Sequence, residues 1–173
     1  MMWARMTSLR TWRRRAADES GAALMELSAM LPVVLLIGVG VIELSNLFFN
    51  YQLVQNGVRD AARYGASLPF AKDSTELAIQ NGWIRNIAVT GQPTGGTSRL
   101  QGWTTAQVTI TRGTVANPLL TGGLRSYRAD GDVQVLTVSA RVPYPSLGFL
   151  GFLGASSALT LTASQQERVL GSR

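Results

Sequence analysis

Apolar residues are distributed along this chain in three successive patterns. From Leu27 to Ile42 they run without a charge. From Leu44 onward, Leu47, Phe48, Tyr51, Val54, Val58, Ala61, Ala62 and Gly65 recur every three or four residues, with Asn46, Asn50, Arg59, Asp60 and Arg63 on other faces. The first pattern is that of a membrane helix and the second that of an amphipathic helix packed on a domain. Together they predict one helix from about Ala22 to Ser67, ended by Leu68-Pro69, with Gly57 a weak point costing about 1 kcal/mol relative to alanine. The third pattern is alternation. Ala106, Val108 and Ile110 alternate with Thr105, Gln107, Thr109 and Thr111. Val133 and Val135 open a second series that changes phase at Leu136 and continues through Val138, Ala140 and Val142. Leu159, Leu161 and Ala163 form a third. Each predicts a strand with one apolar face, and the phase change predicts a β-bulge. Between helix and strands, Asp73-Ser74-Thr75-Glu76 has capping-box spacing and opens a short helix from about Thr75 to Ala88. The expected fold class is therefore α+β, a long N-terminal helix lying on a small antiparallel sheet.

Ala22 to Ile42 measures about 31 Å at ~1.5 Å per helical residue, which matches a bilayer core. Pro32, Gly38 and Gly40 are tolerated in such a helix. The basic cluster of the chain, Arg5, Arg10, Arg13, Arg14 and Arg15, precedes this segment and marks its cytoplasmic side, because arginine resists translocation. A secretory signal peptide has the same order of regions. Glu43-Leu44-Ser45-Asn46-Leu47-Phe48-Phe49, which follows Ile42, offers no small-x-small cleavage site.

Composition narrows the chemistry. The 173 residues carry a formal net charge of +6, with no cysteine and no histidine. Disulfides, Cys–His and Ser–His–Asp catalysis and His/Cys zinc sites are excluded. The one lysine, Lys72, lacks the upstream glycines of a phosphate-binding loop. The chain reads as a non-enzyme with no cofactor, no metal and no nucleic-acid partner. Asp130-Gly131-Asp132 has too few acids for calcium, so it reads as a turn in which glycine supplies a positive φ. Gly148-Phe149-Leu150-Gly151-Phe152-Leu153-Gly154 reads either as core over the sheet or as a patch that a neighbouring subunit buries.

A lone carboxylate inside an apolar helix costs on the order of 2.5–3.5 kcal/mol at the membrane centre and less near its edge, so Glu26 marks a functional position. Glu19-Ser20-Gly21-Ala22-Ala23-Leu24-Met25-Glu26, Leu31-Pro32, Glu43-Leu44-Ser45-Asn46-Leu47-Phe48 and Ala61-Ala62-Arg63-Tyr64-Gly65-Ala66 together resemble the TadE-like family of minor pilins (pseudopilins) of tight-adherence pili, a branch of the type IV pilus machinery. The segment Thr160 to Arg168 is similar to that family's last strand, and Leu27 stands where an aromatic is frequent.

The resemblance implies cleavage by a prepilin peptidase after Gly21, with Ala22 as the new N-terminus. An α-amino group with an ordinary pKa of about 7.7–8.0 would be largely protonated there. Glu26, four residues on, shares its helix face and would pair with that amine or with a neighbouring subunit's. On this expectation the chain divides into a basic cytoplasmic leader peptide (1–21), a transmembrane helix (22–42), its amphipathic continuation (43–67) and an extracytoplasmic α+β domain (68–173). Its place is the bacterial inner membrane, single-pass, and then a surface pilus. The implied partners are the peptidase, other pilin and pseudopilin subunits, the assembly platform in the inner membrane, and lipid. Two rival readings stand beside it: an uncleaved membrane-anchored scaffold or binding protein, and a surface hydrolase using a serine or a carboxylate.

Overall fold

The computed structural model describes the backbone of residues 4–120, 122–127, 131–152, 154 and 159–170, with side chains described from Gly21 onward. The leader's side chains, Asp130 and Leu153 lie outside the described residues. The elements are α1 (Ala4–Ser67), α2 (Ser74–Thr90), a 3-10 turn (Thr105–Gln107), β1 (Val108–Val115), β2 (Val133–Pro143), α3 (Phe149–Phe152) and β3 (Thr160–Arg168). The chain divides within α1 into two units, Met1–Leu44 and Ser45–Arg173.

In the first unit the helix carries Pro32 in its interior. Leu24, Leu27, Leu35, Ile37 and Ile42 are all exposed. Each such side chain would gain about 1.5–3 kcal/mol on leaving water. This helix, described from Gly21, is long and apolar enough to cross a membrane and fits a single-pass anchor. Glu43 departs from the pattern, for it is only 4% exposed.

The second unit is an α+β layer structure. Its sheet has the order β1-β2-β3, antiparallel throughout. Val138 faces Ile110 on one side and Gln165 on the other, and Ala140 faces Val108 and Ala163. Leu136, Val138, Ala140 and Val142 thus project from the central strand to one face, where Val54, Val58, Ala61 and Ala62 of α1 complete the core. The expected β-bulge is absent. β2 pairs with β1 in unbroken register from Val133↔Val115 to Ala140↔Val108. Val135 sits half-buried on the other face opposite Gly113, so the phase change at Leu136 is a change of face and not of register. Ala106 lies in the 3-10 turn rather than in a strand.

The capping signal at Asp73 is realised: its carboxylate accepts the Glu76 N–H at 2.7 Å, while the Glu76 carboxylate accepts the Lys72 N–H at 2.8 Å. Gly91 closes α2 in the left-handed region at φ 81°, donating to Ile87 O at 2.9 Å. Gly131, at φ 93°, turns the chain before β2 as expected.

Gly57 is a point of contact. A Cβ there would lie 2.3 Å from the Ala88 carbonyl oxygen and 2.6 Å from the Trp103 ring. At Gly65 it would lie 2.4 Å from Leu136 Cδ2 and 2.8 Å from Ile84 Cδ1. With Ala61 and Ala62 between them, these glycines form a stripe of minimal side chains into which α2 and the sheet press. The helix forgoes about 1 kcal/mol of propensity per glycine, and the close packing offsets it.

Gly82 of α2 offers the matched control, since a Cβ there meets nothing within 4 Å. Gly82→Ala is expected to stabilise the chain by about 0.5–1 kcal/mol through backbone entropy. Gly57→Ala is expected to destabilise it by about 1–3 kcal/mol through overpacking. Thermal unfolding of the full chain in detergent should show shifts of opposite sign.

Candidate functional site

The buried stripe of α1 does not begin where counting apolar residues places it. Leu44 and Phe48 are exposed, while Asn50 is 5% exposed and Asn46 half-buried. At 3.6 residues per turn, positions 43, 46, 50, 54, 57, 61 and 65 share one stripe, and 44 and 48 lie well around the helix from it. The stripe therefore starts polar and ends apolar. Its polar start is used. Asn46 Nδ2 donates to Tyr144 Oη at 2.9 Å and to the Pro145 carbonyl at 3.3 Å, and Asn50 Nδ2 donates to Asn46 Oδ1 at 3.2 Å. This relay fastens the first turns of the domain's helix to the chain leaving β2. A buried amide that lost such partners would cost about 1–3 kcal/mol.

Trp103 closes the other end of the seat, 2% exposed against Gly57. Its Nε1 has no hydrogen-bond partner among the described residues, so shape holds the ring. On the surface, Arg99 pairs with Asp60 at 2.8 Å, an exposed contact worth about 0–1 kcal/mol. A cleft beside the start of α2 has polar walls whose groups are engaged within the fold: Gln80 Nε2 donates to Pro69 O at 3.1 Å, and Arg112 donates to Asn81 Oδ1 at 2.6 Å.

The three residues singled out from sequence belong to the first unit. Gly21, Ala22 and Glu26 are exposed on α1, and a Cβ at Gly21 would meet nothing within 4 Å among the described residues beyond its own helix backbone and chain neighbours. Ala22 and Glu26 share a helix face by their four-residue separation. Two residues further, Ser28 Oγ donates to Met25 O at 2.8 Å, so its hydroxyl is satisfied within the helix, as an apolar surround demands. The run from Gly148 to Gly154 is split. Leu150 packs against the core, whereas Leu147, just before the run, and Phe152 are exposed.

Residues 21–63, about a quarter of the chain, match the family model described as TadE-like protein, the family the sequence resembles. The match opens at Gly21 and covers the apolar helix, the polar start of the seat and Gly57. The match is to a family of pilus-related proteins with an N-terminal apolar helix, which suggests a pilus-related role. Neither the curated proteins nor the solved structures yield a match to the chain.

The relay generates a stability test. Tyr144→Phe should cost about 1 kcal/mol, and Asn46→Ala about 1–3 kcal/mol, because it also strips Asn50 Nδ2 of its acceptor. The double variant should fall short of the sum of the two, since both remove the same bond. Denaturant unfolding of the four chains checks this.

Proposed function

We propose that this chain is a minor pilin or pseudopilin that helps to assemble an adhesive tight-adherence pilus. The leader (1–21) lies in the cytoplasm, 22–42 spans the inner membrane, and 43–67 continues into an outer domain completed by 68–173. A prepilin peptidase clips after Gly21, and Ala22 becomes the mature N-terminus. The observation that carries this reading is the coincidence of the family match with the helix: it opens at Gly21, at the head of an exposed apolar surface, with Glu26 inside it. No catalytic role is proposed.

The chemistry of the clip suits the residues. α1 runs through Gly21, so a peptidase must unwind the helix locally to reach the scissile bond. Glycine lowers that cost by about 1 kcal/mol relative to alanine and leaves the bond unobstructed. The ammonium formed at Ala22 then sits at the edge of an apolar environment and needs a counter-charge. Glu26 supplies it, within one subunit or across to the next, and so registers an incoming subunit. Other pilin subunits and the inner-membrane assembly platform are the partners.

Intact mass of membrane-extracted protein from cells with an active prepilin peptidase tests the clip. The expected chain begins at Ala22, and replacing Gly21 with a bulky residue should leave the precursor. A native chain that retains its leader would instead support an uncleaved anchor.

Glu26→Ala should be inserted and clipped nearly normally yet fail to support fibres, because the Ala22 ammonium loses its partner at a penalty of about 3–5 kcal/mol if buried. Glu26→Asp should rescue in part, since the charge survives with a shorter reach. Fibre yield measured beside the processed fraction checks both. Normal fibres from clipped Glu26→Ala protein would remove Glu26 from assembly.

A further inference from the structure

We infer that the outer edge of β3 is a strand-acceptor site, filled when a partner protein adds an extended, uncharged segment to the sheet. The membrane span and the clip play no part in it, and every residue involved lies in the Ser45–Arg173 unit.

The ladder decides which backbone groups face outward. Tyr144 N–H donates to Leu159 O at 2.7 Å and Val169 N–H to Gln134 O at 2.9 Å, so hydrogen-bonded pairs flank the β2–β3 ladder at both ends. Bonded and non-bonded pairs alternate along antiparallel strands. The register runs unbroken from Val135↔Arg168 to Pro143↔Thr160, so Leu161, Ala163, Gln165 and Glu167 bond to β2. Thr160, Thr162, Ser164, Gln166 and Arg168 turn their N–H and C=O groups the other way, off the edge of the sheet. Among the described residues no other backbone group bonds to that row, and the Gln166 carbonyl takes only a 3.4 Å contact from Gln165 Nε2. Donors and acceptors repeating every ~6.8 Å along a line fit the main chain of another strand.

Exposed edges are ordinarily blunted by a charge, a proline, a bulge or a covering element. The opposite edge, β1, has two such devices. Its Val108 N–H donates to Thr105 O of the 3-10 turn, and Arg112 in its middle reaches Asn81 of α2. β3 is nine residues long and carries no charge, proline or bulge from Thr160 to Gln166. An edge left open in this way is built to be paired.

Side chains define the occupant further. Leu161 and Ala163 are buried on the α1 side, while Thr160, Thr162, Ser164 and Gln166 are exposed on the other face. Between α1 and the start of β3 lies an apolar groove of about 480 Å³, lined by Leu47, Phe48, Tyr51 and residues 159–162. An added strand would set alternate apolar side chains toward this groove and polar ones beside the hydroxyl row. No acidic or basic residue occurs from Leu44 to Val58 or from Val142 to Gln166, so a charged side chain in the groove would find no partner there. That requirement disfavours the β3 of a second copy. Two such strands centred on Ser164 would place Glu167 of one opposite Leu161 of the other, a carboxylate at the mouth of the groove. Shifting by one bonded pair moves it only to Leu159 or Ala163.

The test is residue-resolved amide exchange of the full chain in detergent, alone and with a short capped peptide that alternates threonine and valine. In the free chain the amides of Thr160, Thr162, Ser164 and Gln166 should exchange fast and those of Leu161, Ala163 and Gln165 slowly. The peptide should slow the first set about tenfold or more, and the same peptide with lysine for valine should not. Ser164→Pro removes an outward donor and no bond to β2, a change that edge strands tolerate. It should bind the peptide about tenfold more weakly, the equivalent of one hydrogen bond, at an unchanged unfolding temperature. Fast exchange at the edge under saturating peptide overturns the acceptor site, as does equal binding by Ser164→Pro. Slow exchange at Thr162 and Ser164 in the free chain also overturns it. If dilution restores fast exchange the edge belongs to a second copy, and if not, to the chain itself. The exchange pattern needs no variant, so it decides the matter even if proline perturbs the fold.

Discussion

The fold depends on the close approach of α1 to its neighbours at Gly57 and Gly65. Side chains there are reduced to hydrogen, so the Ala88 carbonyl, the Trp103 ring, Ile84 and Leu136 advance to the helix backbone. A helix gripped that tightly cannot rotate about its axis. Its rotation, fixed near residues 57–65, then determines the facing of the positions from Ser45 onward by the ~100° step of the α-helix. Asn50 and Asn46 consequently arrive on the protein side, where the hydroxyl of Tyr144 and the Pro145 carbonyl take up the Asn46 amide. Phe48 arrives on the outer side. A larger residue at 57 or 65 would lift the helix and loosen this phase relation.

On the proposed reading the same helix must satisfy two surroundings. From Leu24 to Ile42 its large apolar side chains are exposed, as lipid would require; beyond Asn50 one stripe enters a core and the rest faces water. In the proposed assembly, moving the apolar half from bilayer to fibre exchanges one apolar medium for another. Lipid tails are about as apolar as leucine, so burial supplies little drive. What differs between the two environments is the treatment of charge. A carboxylate at position 26 near a new ammonium at 22 gains from pairing in either medium, and most where water is excluded. On the proposed reading this assigns selectivity to two groups and leaves the rest of the span as filler of the right length.

Much of the architecture was legible in the sequence because its causes are local. The end of α1 at Ser67, the Asp73 cap and the three strands each follow from propensity, capping chemistry or alternation. The failures share a different origin. Periodicity counts apolar residues, so it placed Leu44 and Phe48 on the packed face and Asn46 and Asn50 on other faces. The structure reverses this because the amide partners sit 98 residues downstream at Tyr144. Gly57 read as a defect because the reason for it, Trp103 and Ala88, lies in other elements. The phase change at Leu136 suggested a bulge because alternation does not distinguish a slipped register from a strand with apolar residues on both faces. Gly21, Ala22 and Glu26 were singled out through a family motif and the cost of an acid in an apolar helix. Fold geometry adds only that they are exposed.

The central claim is that α1 is one helix in two media, and a cysteine scan along it tests this most directly. Single cysteines from Leu24 to Arg63 would be exposed, in spheroplasts, to a membrane-impermeant maleimide. The account predicts uniform protection from Leu24 to Ile42, whatever the helix face. Beyond Asn50 it predicts a three-to-four-residue alternation, with Val54, Val58, Ala61 and Ala62 protected and Gln52, Asn56, Arg59 and Arg63 modified. Alternating modification within 24–42 would mean that this half packs on protein as an ordinary amphipathic helix, and would contradict the account.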